Sequence, residues 1–160
     1  NLKFKILIPT LPHLVDKITL KTKLWNVETL ITSDIENFDK YFDDVFVSVT
    51  CSGTASLEIA KRNIPQIIIY KLNLFTELIL KIFVKIRTAC LINIVSKKII
   101  IPEIINSNLN EDNLLIFFQN LINNKELRDK QIKDINENMI NIESRSSPYD
   151  ISVERILSLI

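Results

Sequence analysis

The chain has 160 residues, 47% hydrophobic and 24% charged, with a formal net charge of +1. That length supports one domain with a sizeable core, and the composition excludes a disordered chain. The near-zero charge gives no electrostatic footprint for nucleic acid, and two cysteines cannot make a disulfide framework.

The chain opens on Asn1 rather than Met and runs almost at once into FKILIP (4–9), a short apolar strand closed by Pro9. No apolar h-region or small-residue cleavage site precedes it, so no secretion signal is read here, and the chain is expected to be a piece of a longer protein. LVDKITLKTKL (14–24) spaces its apolar residues by three and four and reads as a helix. The lone histidine, His13, sits at the turn before it as a solvated residue, with no second histidine for a metal site. VETLIT (27–32) reads as a strand, and IENFDKYFDD (35–44), after Ser33 and Asp34 as a capping pair, as a short helix. VFVSV (45–49) is a strand and TASLEIAKRN (54–63) a helix. QIIIY (66–70), opened by Pro65, is the continuous apolar kind of strand that is buried on both faces.

Further on, LFTELILKIFVK (74–85) reads as a helix. Its Lys81 and Lys85 fit either a core helix with solvated lysines or a surface that meets an anionic bilayer. ACLINIV (89–95) reads as a strand, and Pro102 as the start of a short helix. EDNLLIFFQNLIN (111–123), KELRDKQIKDINENMINI (125–142) and SVERILSLI (152–160) are closing helices. Cys51 and Cys90 are both expected as small core residues, a usage that fits a reducing compartment. The apolar neighbourhood from 64 to 101 is broken by Lys71, Glu77, Lys81, Lys85, Arg87, Lys97 and Lys98. No stretch reaches the roughly 18–20 apolar residues of a membrane span. Strands alternating with helices at this spacing predict an α/β fold, a Rossmann-like parallel sheet with helices on both faces and extra C-terminal helices. The expected organisation is a single domain over 1–160.

The only glycine, Gly53, falls between the strand VFVSV and the helix that begins TASLE. In an open parallel sheet, ligands bind beyond the carboxyl ends of the strands, and this turn lies at such an end. Glycine there permits close backbone approach, while Thr50, Ser52 and Thr54 add hydroxyls. The helix start adds unpaired N–H groups and a positive dipole end, a combination suited to phosphate. Glu58, one turn past Thr54 on the same helix face, suits a ribose diol. Two plainer readings stay open. Ser52 or Thr54 could simply cap the helix, and Glu58 could only pair with Arg62 at i,i+4. Neither GxGxxG nor GxxxxGK[ST] occurs in the chain.

SGTASLE, IPQIIIYK, FTELILKIFVK, LINIV and IPEII, in this order and spacing, resemble the C-terminal half of bacterial lipid-A-disaccharide synthase. The likeness runs from about Phe4 to the C-terminus, is densest from Val45 to Ile105, and includes the closing ISVERILSLI. It implies the donor-binding domain of a B-type glycosyltransferase, whose two Rossmann-like domains face each other across a cleft. The implied reaction moves 2,3-diacylglucosamine from UDP to 2,3-diacylglucosamine 1-phosphate, with inversion and a β-1,6 link, in lipid A biosynthesis. No metal or other cofactor is implied. By position, Ser52, Gly53 and Thr54 would lie at the UDP phosphates and Glu58 at the ribose; Asn93 and Glu103 would also belong to the donor site.

For Asn93 a turn or strand-end role is the alternative, and for Glu103 ordinary helix-start chemistry beside Pro102. Tyr70 and Lys71 match a Tyr-Lys pair near the cleft, with Tyr70 equally readable as core edge. The chain departs from the family in carrying Lys97-Lys98 where a Gly-Arg pair is usual. A Gly-Ser-Arg motif and the N-terminal domain, expected to supply the acceptor pocket and general base, are missing from the sequence. The resemblance therefore implies a fragment inactive alone, from a cytoplasmic enzyme peripheral to the inner membrane. Two other readings remain: a different UDP-sugar-using B-type protein, such as a UDP-GlcNAc epimerase or a peptidoglycan-precursor transferase, or a Rossmann-like module without catalysis.

Overall fold

A computed structural model describes residues 3–34, 36–71, 88–142 and 148–159. The expected helix over 74–85 lies outside these residues, as does much of the expected loop at 144–150. The chain forms two compact units, Asn1–Val45 and Phe46–Ile160.

In the first unit, β1 (Lys5–Pro9) pairs in parallel with β2 (Glu28–Thr32), in a register that sets Lys5 beside Glu28 and Pro9 beside Thr32. A 3-10 turn (Pro12–Leu14) and helix α1 (Val15–Thr22) connect them. The exposed Lys5–Glu28 ion pair closes the outer end at 2.6 Å, a contact that contributes little in water. The short helix α2 (Phe38–Phe42) follows. Asp34 is its anchor. Its carboxylate accepts from the Asn37 amide at 3.2 Å and the Asn37 side chain at 2.9 Å. Those bonds to Asn37 hold the Asp34 carboxyl below its ordinary pKa.

The second unit is a three-stranded parallel sheet in the order β3 (Ser48–Thr50), β4 (Gln66–Tyr70), β5 (Glu103–Ile105). β4 is central, and its isoleucines alternate between faces as the pleat requires. Ile67 packs with Ile104 and Leu121, joined by the partly buried Ile69, Leu114 and Phe118. Ile68 points the other way, to Ala60, Cys90, Ile92, Ile101, Ile135 and Met139. Both Ile67 and Ile68 are fully buried, each contributing about 2 kcal/mol of apolar transfer. Helices therefore cover both faces. α5 (Glu111–Asn123) lies on one; α3 (Thr54–Lys61), α4 (Leu91–Ser96) and α6 (Lys125–Met139) lie on the other.

Asn110 and Asn124 cap α5 and α6, accepting from Asn113 N at 2.9 Å and Leu127 N at 3.0 Å. Arg128 donates to the Leu121 and Ile122 carbonyls at the end of α5 and stacks 4.3 Å over the Phe46 ring. A last helix, α7 (Pro148–Leu157), is exposed from Tyr149 onward. Among the described residues no helix is long and apolar enough to cross a membrane.

Two sequence expectations are exchanged here. The run ACLINIV, expected as a strand, contains helix α4; the segment after Pro102, expected as a helix, is strand β5. Asn93 explains the first exchange. It is buried at 1% exposure, and its amide binds the chain that follows the helix. That return needs a tight helix end, supplied by Lys97 in the left-handed region with φ 56° and ψ 24°. Pro102 explains the second. It precedes the strand, where its missing N–H costs no ladder bond, and its carbonyl accepts from Ile68 N at 2.9 Å.

Candidate functional site

β3 ends at Thr50 and α3 begins at Thr54, so the turn between them is Cys51, Ser52 and Gly53. Gly53 has φ 136° and ψ −155°, a conformation essentially confined to glycine. A Cβ built there would meet nothing within 4 Å among the described residues, and the residue is exposed. The backbone angle, not crowding by any described residue, requires glycine. Cys51 is exposed too, contrary to the expectation of a core residue, whereas Cys90 is buried. Burial pushes the Cys90 thiol above its ordinary pKa.

No side-chain cap closes the N-terminus of α3 among the described residues. The Ser52 hydroxyl instead donates to the Ala89 carbonyl at 2.8 Å, and Ser56 donates back to the Gly53 carbonyl at 2.7 Å. Thr54 and Glu58 lie exposed, one turn apart on α3. Arg62 meets Glu58 through its backbone: the guanidinium donates to the Glu58 carbonyl oxygen at 3.1 Å.

Gln66 braces the turn from inside. Fully buried at the start of β4, it accepts from Thr50 Oγ1 at 2.9 Å and donates from Nε2 to the Ser56 carbonyl at 2.9 Å. Gln131 of α6 holds the Gln66 backbone in turn, accepting from its N–H at 2.8 Å and donating to its carbonyl at 3.1 Å. Neither glutamine was singled out by the sequence, although a polar residue opening an otherwise apolar strand is the signal that marks Gln66.

Glu103 gathers the other side. Oε2 accepts from the Tyr70 hydroxyl at 2.9 Å and from the Ala89 N–H at 3.0 Å. Oε1 accepts from the Asn93 side chain at 2.8 Å and also from the Thr88 hydroxyl. Because Glu103 opens a strand, it does not perform helix-start chemistry. Asn93 Nδ2 also donates to the Ile101 carbonyl at 2.8 Å, and Oδ1 accepts from Ile100 and Ile101 N–H at 2.8 and 3.0 Å. Tyr70 is partly buried against the core, and burial, with the Glu103 bond and charge adding to it, raises its phenol above the ordinary value. Lys71, Lys97 and Lys98 are exposed.

Ser52 and Gly53 are thus linked through Ala89 to Glu103 and Asn93, while Thr54 and Glu58 stand on the open face of the same helix. Thr88 and Ala89 had no distinguishing sequence signal. Among the described residues no group of three or more His, Cys, Asp or Glu side chains is placed to hold a metal ion.

Comparison with known proteins matches residues 1–152 to the family described as lipid-A-disaccharide synthetase. The chain is similar to the lipid-A-disaccharide synthase of Rhodospirillum centenum, 23% identical over 83% of this chain and 33% of the relative. It is similar to that of Nitrobacter winogradskyi, 23% identical over 97% of this chain and 39% of the relative. To that of Rickettsia bellii it is 35% identical over 61% of this chain and 26% of the relative. The chain therefore spans 26–39% of the length of these relatives. With its parallel α/β architecture and a family match over nearly all of its length, the chain belongs to the lipid-A-disaccharide synthetase family.

Proposed function

We propose that this chain is the donor-binding half of a two-domain glycosyltransferase of lipid A biosynthesis, with residues 1–160 forming one UDP-sugar domain. The parent enzyme transfers 2,3-diacylglucosamine from UDP to 2,3-diacylglucosamine 1-phosphate, with inversion and formation of a β-1,6 link. The amides of Ser52, Gly53 and Thr54 receive the diphosphate, and Glu58 accepts the ribose hydroxyls. Asn93 and Glu103 belong to the same donor site. The acceptor pocket and the general base come from an N-terminal domain outside this sequence, so the chain alone is inactive. The parent works in the cytoplasm, at the inner-membrane surface where its acylated substrates lie.

The observation that supports this reading most is the Gly53 turn. It is an exposed, glycine-only bend at the carboxyl end of a parallel strand, opening a helix that has no side-chain cap among the described residues. Amides in that arrangement favour a phosphate. UDP at about a hundred times its dissociation constant adds about 2.7 kcal/mol of stability, which corresponds to roughly 5–10 °C in melting temperature for a chain of this size. A melting curve unmoved by UDP would contradict the donor reading and favour a non-catalytic module. In the parent enzyme, turnover of the diacylated donor but not of UDP-GlcNAc is expected; the reverse preference would point to another UDP-sugar protein.

A further inference from the structure

We propose that Glu103 and Asn93 serve the donor site as positioning residues, fixing the Gly53 turn through Ala89 without touching the nucleotide. The inference rests on the donor-site reading above and assigns Ala89 and Thr88 a part in it.

Hydrogen-bond accounting comes first. A carboxylate offers about four acceptor positions, and a primary amide two donors and two acceptor positions. Glu103 accepts from Tyr70, Ala89, Thr88 and Asn93. Asn93 donates to Ile101 and Glu103 and accepts from Ile100 and Ile101. Both side chains are saturated within the protein. Charge points the same way. A carboxylate facing a diphosphate repels it, whereas one turned toward four protein donors spends its charge on them.

Ala89 carries the connection outward. Its N–H donates to Glu103 at 3.0 Å, and its carbonyl accepts from Ser52 at 2.8 Å. Ser52 directly precedes Gly53, whose conformation has no side chain to hold it in place. Glu103 itself is anchored to Tyr70 at the end of the central strand and to Asn93 in the core. The path from rigid sheet to phosphate-facing backbone is therefore Glu103, Ala89, Ser52, Gly53. Gln66 restrains the opposite side of the turn through Thr50 and Ser56.

A double-mutant cycle on the full chain tests the path, with UDP affinity measured calorimetrically for wild type, Ser52→Ala, Glu103→Gln and the pair. Losing one hydrogen bond of the path weakens binding roughly tenfold. Because both changes cut one path, the double variant should bind little worse than the weaker single one. Losses that multiply to roughly a hundredfold would mean that Glu103 meets the ligand independently, and would overturn the proposal while leaving the donor site intact. A wild-type chain that does not bind UDP would overturn the donor reading and this proposal together. Without nucleotide, backbone order parameters at Gly53 and Thr54 should fall in Glu103→Gln while those at Ile67 and Ile68 hold; unchanged values at Gly53 and Thr54 would also overturn it. Should Glu103→Gln fail to fold, Glu103→Asp, which draws the carboxylate one methylene back from the Ala89 N–H, replaces it in the same cycle, with the same expectation of non-additivity.

Discussion

Asn93 and Glu103, ten residues apart in sequence, are joined by a 2.8 Å hydrogen bond from Nδ2 to Oε1. The bond ties α4 to the first residue of β5 and closes the segment between them into a compact return. Asn93→Ala would leave the Ile100 and Ile101 N–H groups, the Ile101 carbonyl and one Glu103 oxygen without this partner. A loss of about 2–4 kcal/mol is expected by chemical denaturation; a change under about 0.5 kcal/mol would refute the brace.

Gly53→Ala separates strain from crowding. None of the described residues crowds the added methyl, but φ 136° is hostile to any L side chain. A cost of about 1–3 kcal/mol is expected, with UDP affinity falling as the turn relaxes. Unchanged stability and affinity would mean that the turn is not held in this conformation.

Lys97→Gly should do the opposite. Lys97 is in the left-handed region at the end of α4, with φ 56°. Glycine removes the side-chain penalty there, and a gain of roughly 0.5–1 kcal/mol is expected. A destabilised variant would show that the lysine side chain contributes more than its backbone costs.

Tyr70 sets an alkaline limit. Its phenol is raised above the ordinary value of 10.0, through burial first and Glu103 second. Above that value the unfolded chain gives up its proton before the folded one does. The stability contribution is therefore complete below pH 10.0 and is lost as the pH climbs beyond it. Denaturation midpoints between about pH 9 and pH 11 should fall more steeply for wild type than for Tyr70→Phe; parallel profiles would refute the linkage.

Much of this was legible in the residues. QIIIY could be read as a central strand because an unbroken apolar run has no polar face to expose, and helices α3, α5 and α6 announced themselves by periodicity. Gly53 could be read as the open turn because a chain with one glycine has few ways to make such a bend. The exchange at 89–105 was not legible. LINIV is β-branched enough to suit a strand, and only the long-range bonds of Asn93 and the left-handed Lys97 make it a helix. Ala89 carries no local signal at all, since its place between Ser52 and Glu103 arises only when three separated segments meet.

Backbone amide resonances of the chain, followed while UDP is added, address the Gly53 turn itself. The Gly53 and Thr54 amides should move most, and Gly53→Ala should abolish their response. A titration in which UDP binds yet leaves both amides where they were would place the diphosphate elsewhere and contradict the donor site.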